Sequence, residues 1–177
     1  MKVTVLAILC AIVIAGIVWW RTRTNTSIAP KNFETTQEMM DWLADQAVAA
    51  ARDDNAIKLN YSTDSIQLVE KCLARLHDEY KAGRFTSGIN GMAMAYGAYV
   101  GECIRRNNPD SRWERDHPGA GEKSYPLHWK GGESFPFGWC YKRIVNGPED
   151  NVWTKFKIID EGRTGIEFLP STKEAPH

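Results

Sequence analysis

The run Gly91-Met92-Ala93-Met94-Ala95-Tyr96-Gly97-Ala98-Tyr99-Val100-Gly101-Glu102-Cys103-Ile104-Arg105-Arg106 constrains this chain more than any other stretch. No charge falls between Arg84 and Glu102, and the run then ends in two arginines. At helical spacing Ile89, Met92, Tyr96, Val100 and Cys103 form one bulky face, and Ala93, Gly97 and Gly101 form a strip of small residues beside it. A helix that is apolar nearly all round must be covered on several sides. An interior Gly costs a helix about 1 kcal/mol relative to Ala, so Gly97 and Gly101 are expected where another part of the chain comes close.

Two more helices are expected before it. The first starts after Thr35 or Thr36 as cap, runs to about Asp54, and turns Met39, Trp42, Leu43, Ala47 and Ala51 to one face. The second takes Ser62 as its N-cap and carries Ile66, Val69, Leu73, Leu76 and Tyr80, with His77, Asp78, Glu79 and Lys81 as a solvated end before Gly83 stops it. The central helix itself spans 87–107 and is stopped by Asn108-Pro109-Asp110.

Beyond Pro109 aromatics, Gly and Pro dominate. The spacing predicts strands over 111–114, 125–129, 138–145, 152–159 and 165–169, with turns at Gly131-Gly132, Asn146-Gly147-Pro148 and Glu161-Gly162. The expected fold class is α+β: an N-terminal transmembrane helix, then three helices packed on a small antiparallel sheet. The expected organisation is a transmembrane anchor over 1–21, a linker over 22–32, a globular domain over 33–170 and a flexible tail over 171–177.

The anchor rests on Val3 to Trp20, an uninterrupted apolar run but for Thr4, flanked by Lys2 and by Arg21 and Arg23. As a helix these residues span about 27 Å, near the thickness of a bilayer core, with Trp19-Trp20 at interfacial depth. The run is longer than a signal-peptide core and ends in tryptophans rather than in a small-residue cleavage site. An uncleaved single-pass anchor in a bacterial inner membrane is expected. The flanking positive charges favour a cytoplasmic domain, whereas a conventional signal anchor would place it outside.

Lys plus Arg and Asp plus Glu both number 22, so net charge is zero and no electrostatic footprint for nucleic acid is visible. The four cysteines, Cys10, Cys72, Cys103 and Cys140, form no CxxC pair and no disulfide-dense framework, although one bridge among the last three is left open. None of His77, His117, His128 and His177 has a histidine neighbour at helical ligand spacing, so neither metal nor cofactor is expected. The run Gly119-Ala120-Gly121-Glu122-Lys123-Ser124 lacks the glycine spacing of a phosphate loop.

Glu102 can meet Arg105 at i+3 and Arg106 at i+4, either as a cleft-lining carboxylate held for a charged ligand or as an ion pair fastening the helix end. Trp113, Trp129 and Trp139 either form a binding surface or supply bulk for packing. These six residues are the candidate binding set. Cys103 with His117 or His128, or Glu102 alone, offers the alternative of a membrane-tethered hydrolase.

The combination of Tyr61-Ser62, Ser65-Ile66-Gln67-Leu68-Val69-Glu70, the segment Tyr96-Gly97-Ala98-Tyr99-Val100-Gly101-Glu102-Cys103-Ile104-Arg105-Arg106, Trp113, and Lys142-Arg143-Ile144-Val145-Asn146-Gly147 resembles a group of small bacterial proteins of unknown function. They share a GAYxGE-x-x-RR helix followed by a Trp and a K-R-x-x-N-G hairpin, over about residues 58–160 of this chain. The chain departs from them in having Cys103 at a position where an aliphatic residue is commoner, and in its anchor. The resemblance implies no catalytic residue and suggests an accessory or immunity-like module. The sequence therefore points to a single-pass membrane protein with a non-enzymatic domain that binds a protein or a small polar ligand near the bilayer.

Overall fold

Helical periodicity is where sequence and structure agree best. The computed structural model describes residues 32–85, 87–130 and 132–160. The expected membrane segment 3–20, the linker up to residue 31, the strand 165–169 and the tail 171–177 lie outside the described residues, among which no helix is long and apolar enough to cross a membrane. From Phe33 to Asp160 the described residues form an α+β unit of five α-helices and a three-stranded antiparallel sheet.

Helix α1 (Thr36–Asn55) starts at Thr35, whose side chain accepts the Glu38 backbone N–H at 3.1 Å and so satisfies one of the free donors of the first turn. It buries Met40, Leu43, Ala44, Ala47 and Ala51. The expected face is thus rotated slightly, with Met39 and Trp42 only partly covered.

Helix α2 (Ser65–Lys81) begins at Asp64, which makes no side-chain cap, rather than at Ser62. Ser62 instead heads a turn: its carbonyl and hydroxyl both take the Ser65 N–H, at 3.0 and 3.3 Å. Ile66, Val69, Cys72 and Leu73 are buried, and so is His77. Polarity assigns His77 to the solvated end, but the residue continues the 66–69–73 row by one more turn and donates Nδ1–H to the Ile144 carbonyl at 2.8 Å.

Helix α3 (Ile89–Asn107) is the central element, buried without a break from Ala95 to Ile104. Helix α1 covers one side of it, and helix α4 (Pro136–Val145) covers another. The small strip provides the fit. A Cβ on Gly97 would stand 2.7 Å from both the Cα and the backbone N of Phe137, and one on Gly101 would overlap the six-membered ring of Trp113. Without glycine at these positions α4 and the indole could not approach.

The second half corrects two expectations. Residues 138–145 and 152–159, expected as strands, belong to helix α4 and to helix α5 (Val152–Asp160), joined by a 3₁₀ turn at Pro148–Asp150. Pro136 occupies the first turn of α4, where its missing N–H costs nothing. The expected Lys142–Gly147 hairpin is accordingly the end of α4 and the turn after it. Arg143, buried in α4, donates Nε–H to Glu70 Oε1 on α2, while Glu70 Oε2 accepts the Val152 N–H at 2.9 Å. One carboxylate thus fastens α4 and the start of α5 to α2.

The sheet has order β1 (Arg112–Trp113), β2 (Leu127–Trp129), β3 (Gly132–Ser134). The register pairs Trp113 with Leu127 and Leu127 with Ser134 on the buried face. Arg112, His128 and Glu133 pair on the other face.

Candidate functional site

Glu102 is 1% exposed, and all its contacts are internal. Its Oε1 accepts Trp113 Nε1–H and Gln37 Nε2–H, both at 2.9 Å. Arg105 closes on the same carboxylate, Nε at 3.0 and 2.9 Å from its two oxygens and Nη2 at 2.8 Å from Oε2. Burial pushes the carboxyl pKa up, but the hydrogen bonds from Arg105, Trp113 and Gln37, with the charge of Arg105, outweigh it and hold the group below its ordinary value. A carboxylate so enclosed joins α1, α3 and β1 and has no face open to a ligand.

Arg106, the third member of the expected cluster, does not meet Glu102. It lies over the Tyr61 ring, with Cζ 3.6 Å from the centroid, and the other partner of that ring is Tyr99, stacked with centroids 4.6 Å apart. Tyr61 adopts a left-handed backbone (φ 62°), and its N–H donates to the Tyr99 hydroxyl at 2.7 Å. Arg106 therefore clamps the connection between α1 and α2.

The three candidate tryptophans separate. Trp113 is a core residue, bonded to Glu102 and stacked on Phe137 at 5.6 Å. Trp139 packs against the core from α4. Trp129, half-buried, donates Nε1–H to Ser134 Oγ at 2.9 Å and lines an open cleft. Among the described residues only Tyr141 is an exposed large hydrophobic side chain, so the aromatics of the second half act chiefly as packing.

Cys72, Cys103 and Cys140 are free and buried, and no disulfide joins them. Burial pushes the Cys103 thiol up to about 12 and raises those of Cys72 and Cys140. A thiol so raised is protonated near neutral pH, and at 0% exposure it meets no substrate.

What the structure offers instead is an open cleft of about 500 Å³ at the sheet, lined by Asp110, Arg112, His128, Trp129, Lys130 and Glu133. Three of these residues, Arg112, His128 and Glu133, belong to a run of alternating charges that continues through Glu114 and His117 beside the cleft. Arg112 Nη2 meets Glu114 Oε1 at 2.9 Å, and Glu114 Oε2 lies 3.0 Å from His128 Nε2. His128 Nδ1 lies 3.3 Å from Glu133 Oε1, whose other oxygen is 3.1 Å from His117 Nε2. Among these residues only Trp129 belongs to the candidate set. The signal for the rest is strand alternation, which puts Arg112 and Glu114 opposite in facing to Trp113; the pairing that adds His128 and Glu133 is tertiary.

Among the described residues no group of three or more His, Cys, Asp or Glu side chains is arranged to hold a metal ion. Comparison with protein-family models, curated proteins and solved structures returned no match.

Proposed function

We propose that the chain is a single-pass bacterial membrane protein, held by residues 3–20, whose α+β domain is a non-enzymatic binding or accessory module working near the bilayer. The contact surface in this reading is the cleft over β1, β2 and β3, and the occupant is a protein segment carrying both charge signs. The observation that carries it is the contrast between two places. Glu102 and Cys103, the groups on which a tethered hydrolase would depend, are 1% and 0% exposed, while Arg112, Lys130, Asp110 and Trp129 line an open cleft. Mixed charge on the rim of a half-buried aromatic suits protein recognition better than a phosphate backbone. The resemblance to small bacterial accessory or immunity-like proteins points the same way, and the positive charges flanking the apolar run favour the cytoplasmic side for the domain.

The test is affinity capture from detergent-solubilised membranes with the full-length chain, beside an anchor-only control of residues 1–32. Capture of a defined partner that falls at least tenfold in an Arg112→Glu, Lys130→Glu double variant is the expected result. Recovery of nothing above the control, or capture indifferent to the double variant, removes the reading. A reporter fused after His177 that is active only in the cytoplasm supports the topology, and one active only outside overturns it.

A further inference from the structure

His128 has a carboxylate at each ring nitrogen, and its two neighbours in the register carry charge as well. Across β1 stands Arg112, already paired with Glu114; across β3 stands Glu133. Glu114 Oε2 is 3.0 Å from Nε2 and Glu133 Oε1 is 3.3 Å from Nδ1. A neutral imidazole carries one N–H and no charge, so it can serve at most one of the two carboxylates as a donor. Only the imidazolium attracts both. The contact at Nε2 lies off the hydrogen-bond direction, so what would hold Glu114 there is the charge of the ring rather than a hydrogen bond.

His117 differs. Its Nδ1 accepts the Gly119 N–H at 3.1 Å, which places the proton of the neutral ring on Nε2, 3.1 Å from Glu133 Oε2 but off the hydrogen-bond direction. His117 therefore holds the Gly119 N–H only while Nδ1 is unprotonated, and protonation would cost it that bond. The two histidines that share Glu133 are inequivalent by geometry.

The charge balance agrees. Arg112, Glu114, His128 and Glu133 sum to zero when His128 is protonated and to minus one when it is neutral. Asp110 and Lys130, the other charged groups lining the cleft, cancel each other. The strands these side chains hold together are two, three and three residues long. In so short a ladder, cross-strand side-chain pairs are a large share of what closes it.

We propose that His128 is a proton-operated latch, the cationic ring drawing Glu114 and Glu133 together so that the β2–β3 hairpin closes on β1, and the neutral ring releasing the hairpin and opening the cleft. The sign follows from the charges: closure is favoured while the ring is cationic and is lost when it is neutral. The latch is a property of the fold and stands whether or not the cleft binds a partner.

The test uses the full-length protein in detergent, labelled with 5-fluorotryptophan, the Trp129 signal being assigned by its loss in Trp129→Phe. Between pH 8 and pH 5.5 the wild-type Trp129 resonance moves through one inflection. Amide exchange in β2 and β3, corrected for its intrinsic pH dependence, slows about 1.5- to 5-fold for each carboxylate that the cationic ring holds. Both effects vanish in His128→Gln and persist in His117→Gln. Glu133→Gln, which keeps the shape and removes one carboxylate, reduces the exchange effect without abolishing it. An inflection that survives His128→Gln, or one abolished by His117→Gln instead, overturns the proposal, as does a wild-type Trp129 signal indifferent to pH.

Discussion

Three glycines in the same helix should respond to alanine in opposite directions. At Gly97 the new Cβ meets backbone, 2.7 Å from the Cα and N of Phe137, so the first turn of α4 has to move. Overpacking of this kind costs about 1–3 kcal/mol, and with backbone as the obstacle the upper part of that range applies. Replacing Gly inside a helix returns about 1 kcal/mol, leaving Gly97→Ala less stable by about 1–2 kcal/mol. At Gly101 the obstacle is the Trp113 indole, held by Phe137 stacking and by its bond to Glu102. Displacing it adds the loss of a hydrogen bond to a charged group, about 1.5–3 kcal/mol, so Gly101→Ala falls by about 1.5–5 kcal/mol net. Gly91 is exposed with nothing within 4 Å of a new Cβ, and Gly91→Ala gains at most about 1 kcal/mol. For a domain of this size 1 kcal/mol moves Tm by about 3–5 °C. Thermal unfolding of the full-length protein followed by circular dichroism should therefore show small gain, moderate loss and larger loss in the order Gly91, Gly97, Gly101. A Gly97→Ala or Gly101→Ala protein as stable as the wild type would refute the close-approach argument for the central helix.

Two further outcomes follow from the buried groups. Because the Glu102 carboxyl is held below its ordinary value, its contribution is present above about pH 4.5 and is lost as pH falls through the lower, folded-state value. Glu102→Gln should lose about 1–3 kcal/mol at pH 7, and its urea midpoint should fall less steeply than that of the wild type between pH 5 and pH 3.5; parallel curves would argue against a charged Glu102. In a Cys10→Ala background, Cys72, Cys103 and Cys140 should react with a thiol reagent at pH 8 only at the rate of unfolding, with full labelling in denaturant. Rapid labelling of one thiol in the native protein would reopen the nucleophile reading.

The central helix was legible because its two signals, an unbroken apolar run and glycines one turn apart, have few structural solutions. What covers it was not legible. Phe137, Trp139, Val152 and Trp153 lie in segments rich in aromatic and β-branched residues, and strand preference for such residues reflects packing on a sheet rather than the backbone alone. The helical signals there were weaker but present: Pro136 at a first turn, Cys140 and Ile144 four apart, Val152 and Phe156 four apart. His77 falls on the buried row of α2 by simple counting, and polarity disguised it. Glu102 beside Arg105 was readable as a pair, whereas Gln37 and Trp113, which come from 65 residues before and 11 after, decide that the carboxylate is sealed. The cleft could not be seen at all, since it depends on the register between three very short strands.

Glu70 adds a matter of timing. Its two partners stand 73 and 82 residues further along the chain. During synthesis at about 5–20 residues per second, roughly 4–16 s separate the emergence of Glu70 from that of Val152. Helix α1 is made before Glu70, and the rest of α2 and all of α3 follow within that interval while the carboxylate still lacks both partners; the strip at Gly97 and Gly101 stays bare until Trp113 and Phe137 follow. The helical half of the domain is thus made early and completed late. A ribosome-bound chain ending before Phe137 is the form in which its apolar surface most needs shielding.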